Sequence, residues 1–275
     1  RVVFQDQGIA QGEYVSTADG KWYLYAFRDS GAVGRIPWLV PVQWQSDWPV
    51  IGVNNKAPQT LSFNVEDKGL SGIIRSDEFS KTKLDLVWQW NHNPDPNGWS
   101  LTARPGFMRI TNTKTAGTFV DTRNTLTQRM FGPTSTGVVA LEVNGMKDGD
   151  TAGLGALQSK YGYVAVTQSG TSRSIVMVNA AGGSPREVER VALNASKVYL
   201  RIDGDFRNQI DDATFFYSLD GTNWRQIGDT LQMSYELTHF MGYRFSLFNF
   251  GSKSTGGFAD FDFFIDTGRD FFEGH

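Results

Sequence analysis

His92, His239 and His275 are all the imidazole in this 275-residue chain. None is spaced to share a metal with another, and no HExxH, GxSxG or phosphate-loop glycine pattern is present. Cysteine is absent, which excludes disulfides and thiolate metal sites. The remaining chemistry belongs to carboxylates and aromatic faces. Acid–base cleavage of a glycosidic bond needs two carboxyl groups, one protonated to assist departure and one ionised to activate water or attack. Residues 1–52 offer Asp6, Glu13, Asp19, Asp29 and Asp47, and their spacing singles out no pair. Asp148-Gly149-Asp150, Asp203-Gly204-Asp205, Asp211-Asp212 and Asp260 with Asp262 are clustered oxygens of the kind calcium takes. Each also suits a turn or a solvated strand face. A structural calcium ion, with Asp260 and Asp262 as candidate ligands, is therefore one expectation; no other cofactor is required. Tryptophan faces also bind sugars, but Trp88, Trp90 and Trp99 read first as core, as do Trp38, Trp44 and Trp48.

These residues must be positioned by strands. From Leu84 to Gly106 the chain reads LDLVWQWNHNPDPNGWSLTARPG, with Leu84, Leu86, Trp88 and Trp90 on one side of a period of two. That alternation predicts a half-buried strand, ended by the turn-forming NHNPDPNG. Further strands are predicted over 138–143, followed by a glycine-rich loop, and over 161–167, 174–178, 198–202, 214–219 and 224–227. Tyr243, Phe245 and Leu247 share one face of a later strand; in the last, Ala259, Phe261, Phe263 and Ile265 point inward, opposite Asp260 and Asp262. No segment has a 3.6-residue period of helical length. An all-β protein follows, with two packed antiparallel sheets of jelly-roll type over 84–275.

Residues 1–52 carry four short strand candidates, 13–17, 21–28, 36–44 and 48–51, with an Asp19-Gly20 hairpin signal between the first two. Four strands in about fifty residues is the size of one propeller blade, which cannot bury both its faces alone. Residues 53–83 are polar and read as a linker entering the second domain near Asp77-Glu78-Phe79. Net charge is only −3 with no basic cluster, so no nucleic-acid partner is expected. The absence of any run of about 18 apolar residues argues against a membrane partner.

Five blocks carry a resemblance: QWNHNPDPNGWSLTARPG (89–106), RNTLTQRMFGP (123–133), FYSLDGTNWRQIG (216–228), HFMGYRFSLFNFG (239–251) and GGFADFDFF (256–264). Together they resemble the concanavalin A-like β-sandwich appended to glycoside hydrolase family 43 β-xylosidases and α-L-arabinofuranosidases. IAQGEYV (9–15) and GKWYLYAFRDSGAVGRIPWLVPVQWQSDWPVIG (20–52) are similar to the last blade of that family's five-bladed propeller.

The resemblance implies an exo-acting, inverting hydrolase that removes xylose or arabinofuranose from xylan-derived oligosaccharides. In such enzymes the base, the acid and a third carboxylate that tunes their pKa values come from earlier blades, so no catalytic residue is expected in this chain. The resemblance thus implies the C-terminal part of a longer or cleaved enzyme, inactive alone, with the N-terminal propeller portion and a xylo- or arabinoxylo-oligosaccharide as partners. Arg35 matches an arginine at the pocket floor that hydrogen-bonds substrate hydroxyls. Gln11 falls where relatives place a polar residue or histidine near a central ion, and His239 and Phe240 are nearest to an aromatic that closes the pocket's rim. Arg1-Val2-Val3-Phe4 is not a signal peptide, and a secreted or periplasmic location is slightly favoured. Two other readings compete: a stand-alone carbohydrate-binding module without catalysis, and a sandwich that serves only oligomer contacts.

Overall fold

The computed structural model describes residues 2–63, 66 and 72–267, and the chain forms two compact units, Arg1–Ser71 and Gly72–His275. The first is a four-stranded antiparallel meander in sequence order: β1 (Ala10–Ser16), β2 (Trp22–Asp29), β3 (Arg35–Gln45) and β4 (Trp48–Ile51). Asp19-Gly20 makes the expected turn, with Gly20 at φ 80°. Ala26, Val40, Val42 and Ile51 are buried on one face under Ile9 and Ala57. Towards the other end of that face Tyr14, Trp22 and Trp44 have mainly one another, edge to face at 5.5 and 5.6 Å. Trp44 and Trp48 are exposed, at 43% and 42%. They were expected in the core; Trp44 lies on the covered face beyond Val42, and Trp48, opposite Gln45, lies on the sheet's other face.

The second unit is a sandwich. Its strands are β5 (Gln89–Trp90), β6 (Trp99–Ser100), β7 (Met108–Thr111), β8 (Leu126–Arg129), β9 (Thr134–Glu142), β10 (Asp150–Leu157), β11 (Gly162–Ser169) and β12 (Ser172–Asn179). There follow β13 (Arg186–Leu193), β14 (Lys197–Asp205), β15 (Asp212–Ser218), β16 (Arg225–Gln226), β17 (Leu231–Gln232), β18 (Arg244–Gly251) and β19 (Phe258–Asp266). One sheet runs β13-β12-β11-β10-β18-β8-β5, the other β16-β15-β14-β9-β19-β7-β6, with β17 beside β15. Leu126, Leu154, Val164, Phe245 and Leu247 of the first sheet and Val139, Leu141, Leu200, Phe215, Phe261 and Phe264 of the second are fully buried. Phe245 meets Phe264 across the gap at 5.8 Å. The outer face of the seven-stranded sheet is apolar too: Phe119, from the segment after β7, covers Tyr161, Tyr163 and Phe248 at 4.9, 5.5 and 4.6 Å.

Four sequence expectations change. Residues 84–88 are not a strand: the chain turns here, Trp88 N–H donating to Asp85 O, and Leu86 is 99% exposed. Asp85 is held by Lys81 and Arg75, while Trp88 is buried between Phe79 and Phe264 and donates to Asp77 from its indole. Residues 72–83, read as linker, therefore lie in the sandwich unit, where Asp77 also bridges to Phe264.

The glycine-rich segment after 143 contains not a loop but β10, buried along its whole length. A Cβ at Gly153 would stand 2.3 Å from Val164 O and 2.5 Å from Ala165 Cα, and one at Gly155 2.9 Å from the Phe119 ring. Glycine here lets neighbours close in. The edge strand β13 exposes Arg186, Glu187, Glu189 and Arg190, charges that discourage pairing with another chain. In β19 a bulge between Phe261 and Phe263 flips the alternation, so Phe264 rather than Phe263 or Ile265 enters the core.

Candidate functional site

Arg35 opens β3 directly opposite Asp29 at the end of β2. The loop between them is closed by Ser30 N–H to Gly34 O and Gly34 N–H to Gly31 O, with both glycines at positive φ. The guanidinium lies 4.2 Å above the Phe27 ring and donates from Nε to Asp29 Oδ1 at 3.0 Å. Its side chain is 26% exposed and that of Asp29 65%. An ion pair this open contributes little stability, but the ring fixes a charged fork of donors at a set height over the sheet. Gln11 sits in a β-bulge of β1 at φ 50°, exposed. The bulge brings Gly12 so close to β2 that a Cβ would meet Tyr25 O at 2.3 Å.

His239 and Phe240 belong to the other unit, on the loop leading into β18. That loop is tied down by the buried Gln158, whose amide donates to Glu236 O and Met241 O at 3.3 and 2.8 Å. Glu236 pairs with Lys160 at 3.0 Å, and the buried Tyr243 hydroxyl donates to Lys160 O. Phe240 takes φ 49° and is 61% exposed, on a loop whose base is anchored.

Burial, and then the nearby His92, hold His239 below its ordinary value of 6.5. The folded protein thus binds fewer protons at this site than the unfolded chain over the interval just below 6.5. Stability contributed by neutral His239 is present above 6.5 and lost as pH falls through the depressed value. The urea midpoint should drop between pH 7 and pH 5.5, and His239→Gln should flatten that slope.

Asp260 and Asp262 do not converge on a cation site. Asp260 accepts both Nε and Nη2 of Arg109 at 2.7 and 2.8 Å, and Arg104 bridges it to Glu142. Asp262, the extra residue of the bulge, takes Lys197 at 2.7 Å. Positive side chains already fill the places a calcium ion would need. The other acidic clusters are engaged similarly: Asp148 with Lys253, Asp205 with Arg207, Asp203 with Arg201 and Thr136. Asp150 is fully buried and accepts from Asn112 Nδ2 at 2.6 Å and Lys147 N–H at 2.7 Å. Among the described residues no group of three or more His, Asp or Glu is arranged to hold a metal. Replacing Asp260 with Asn should cost about 3 kcal/mol in urea unfolding, because two arginines lose a largely buried counter-ion.

Sequence reasoning missed the small surface cleft lined by Asn112, Lys114, Arg123, Asn124 and Asn249, among others. It missed equally why GGFADFDFF begins as it does. Gly257 lies against Asp150 so tightly that a Cβ would stand 1.7 Å from its Oδ2. Its N–H and carbonyl are taken by Asn112 and Asn249. Two glycines followed by alternating aromatics was the available signal, but not which carboxylate they enclose.

Residues 76–265 match the family described as the β-xylosidase C-terminal concanavalin A-like domain. A bifunctional GH43-CE protein of Bacteroides eggerthii superposes with a TM-score of 0.92 at 51% identity, covering 98% of this chain and 35% of that one. An engineered GH43 glycoside hydrolase with endo-xylanase and exo-arabinofuranosidase activity superposes at 0.82 with 30% identity, over 94% of this chain and 54% of that one. A β-xylosidase of Formosa agariphila is 27% identical over 95% of this chain and 48% of its own length. The chain thus spans about half the length of such a relative, and similarity runs through the blade-like unit as well as the sandwich. The chain belongs to glycoside hydrolase family 43, with residues 76–265 forming its C-terminal concanavalin A-like domain.

Proposed function

We propose that this chain works as the C-terminal part of an exo-acting, inverting family 43 glycosidase that releases xylose or arabinofuranose from xylan-derived oligosaccharides. The observation that carries the reading is the family match over 76–265, continued by similarity to glycosidases across nearly the whole chain. In this reading residues 1–52 are one blade of a propeller whose other blades hold the two catalytic carboxyl groups, at the roughly 6.5–9.5 Å separation that leaves room for a water between carboxylate and sugar. Arg35 presents its fork to substrate hydroxyls, Phe240 offers a ring at the pocket's rim, and the sandwich braces the propeller. No cofactor takes part in the proposed reaction. A secreted or periplasmic site, where polysaccharide fragments are met, suits this substrate.

The blade-like sheet favours this over a free-standing binding module. A module needs no arginine set on Phe27 at the head of a meander, and that sheet leaves Tyr14, Trp22, Tyr25 and Trp44 exposed. A neighbouring blade would cover them. The complete enzyme should release nitrophenol from 4-nitrophenyl β-xyloside or α-L-arabinofuranoside, with the inverted anomer appearing first by NMR. Release from neither, or first appearance of the retained anomer, would refute the assignment.

A further inference from the structure

Arg129, the last residue of β8, and Arg244, the first of β18, stand directly opposite each other. By strand alternation both lie on the outer face of the seven-stranded sheet, with Thr127 and Ser246 as the next pair along that face. Like charges at directly opposed positions destabilise a ladder, so the pairing requires compensation.

No carboxylate among the described residues supplies it. Arg244 is only 7% exposed, and its one hydrogen bond among the described residues is from Nη1 to Thr127 Oγ1 at 3.3 Å. Ser246, beside it, spends its hydroxyl on Gly155 O, and the facing residue on β10 is Leu157. Arg129 is exposed and has no carboxylate partner among the described residues. Several other arginines of the sandwich do hold a carboxylate. Arg104 and Arg109 hold Asp260, while Arg186, Arg190, Arg201 and Arg207 each hold an aspartate or glutamate. Burial, followed by the neighbouring Arg129, lowers Arg244 to about 10, which still leaves it charged at neutral pH. A buried, charged guanidinium beside a second one lacks only the anion. Two planar forks side by side match the oxygens of a carboxylate.

We propose that the Arg129–Arg244 pair binds the carboxylate of an acidic sugar, a uronic acid carried by the oligosaccharide. This rests on the glycosidase reading above. The argument for a sugar is the substrate of that reading, an oligosaccharide, and Arg244 opens the strand into which the anchored loop of His239 and Phe240 leads. Arg129 is open to solvent, as a site for a ligand that comes and goes must be.

Calorimetric titration of the complete enzyme with D-glucuronate, D-glucose and inorganic phosphate at fixed ionic strength tests this. Saturable glucuronate binding is expected, with no heat from glucose, weaker binding of phosphate, and at least a tenfold loss of glucuronate affinity in Arg129→Gln. Arg129→Lys should recover part of that loss. No glucuronate binding, equal or tighter phosphate binding, or an unaltered Arg129→Gln would overturn the proposal. So would binding by residues 1–275 alone but not by the complete enzyme, which would mean that an acidic side chain of the remaining polypeptide fills the pair. Turnover of a neutral aryl xyloside by the unmodified enzyme, measured alongside, tests the glycosidase reading separately.

Discussion

Replacing Arg35 with alanine in the complete enzyme should lower kcat/KM on an aryl xyloside by about 100-fold or more, with little change in thermal stability. The size follows from the proposed role, in which the fork would make two charge-assisted hydrogen bonds to substrate, each worth roughly 1.5–3 kcal/mol. The small stability change follows from the exposure of its partner, since Asp29 is 65% exposed and such a pair contributes little. The companion variant separates the two roles. If Arg35 serves only to pair with Asp29, then Asp29→Asn should mimic Arg35→Ala. If it serves the sugar, Asp29→Asn should change kcat/KM only a few-fold, because the Phe27 ring keeps the guanidinium in place.

The second large effect is structural. Phe119 is 2% exposed and is packed by Tyr161, Tyr163 and Phe248 on the outer face of the seven-stranded sheet. Phe119→Ala should cost about 4 kcal/mol and lower the melting temperature of the sandwich by on the order of 10 °C. The flanking segment bonds to the sheet as well, Ala116 N–H donating to Gly251 O, so opening should extend along it. Faster hydrogen exchange at Ala116 and Val120, with β14 and β15 unchanged, would locate the loss there. A melting shift under about 2 °C would show that neighbours collapse into the gap.

Much of this architecture was legible in the chain. In the blade, alternation and an Asp-Gly turn set the four strands nearly as they stand. In the sandwich, Tyr243, Phe245 and Leu247 alternate without interruption, and the strand there follows. Legibility failed where a local rule was overridden. Leu84, Leu86, Trp88 and Trp90 alternate as a strand should, yet Lys81 and Arg75 fix Asp85 and turn the chain beneath Trp88. The composition of β10 is that of a loop, because its glycines serve close packing and not freedom. At β19 one inserted residue reverses which phenylalanines face inward, and a bulge leaves no mark in composition.

The candidate site was legible to a different depth. Arg35 and Phe240 were reached only through resemblance. What the structure adds is their setting: an arginine stacked on Phe27, and an exposed ring on a loop tied to Gln158. Arg129 and Arg244 lie 115 positions apart in sequence, and only the pairing of β8 with β18 brings them face to face. No spacing rule links them. Conversely, Asp260 and Asp262 look like a cation site in sequence, but the structure surrounds them with Arg104, Arg109 and Lys197.

The proposed function implies a division of labour: this chain would supply a blade and a substrate-facing arginine, and the carboxyl groups that cleave the sugar would come from elsewhere in the enzyme. The most direct measurement is hydrolysis of 4-nitrophenyl β-xyloside and α-L-arabinofuranoside by purified residues 1–275, alone and after mixing with the N-terminal propeller portion. The account predicts no release above the uncatalysed rate from residues 1–275 and turnover once the two are combined. Steady turnover by residues 1–275 alone would contradict it.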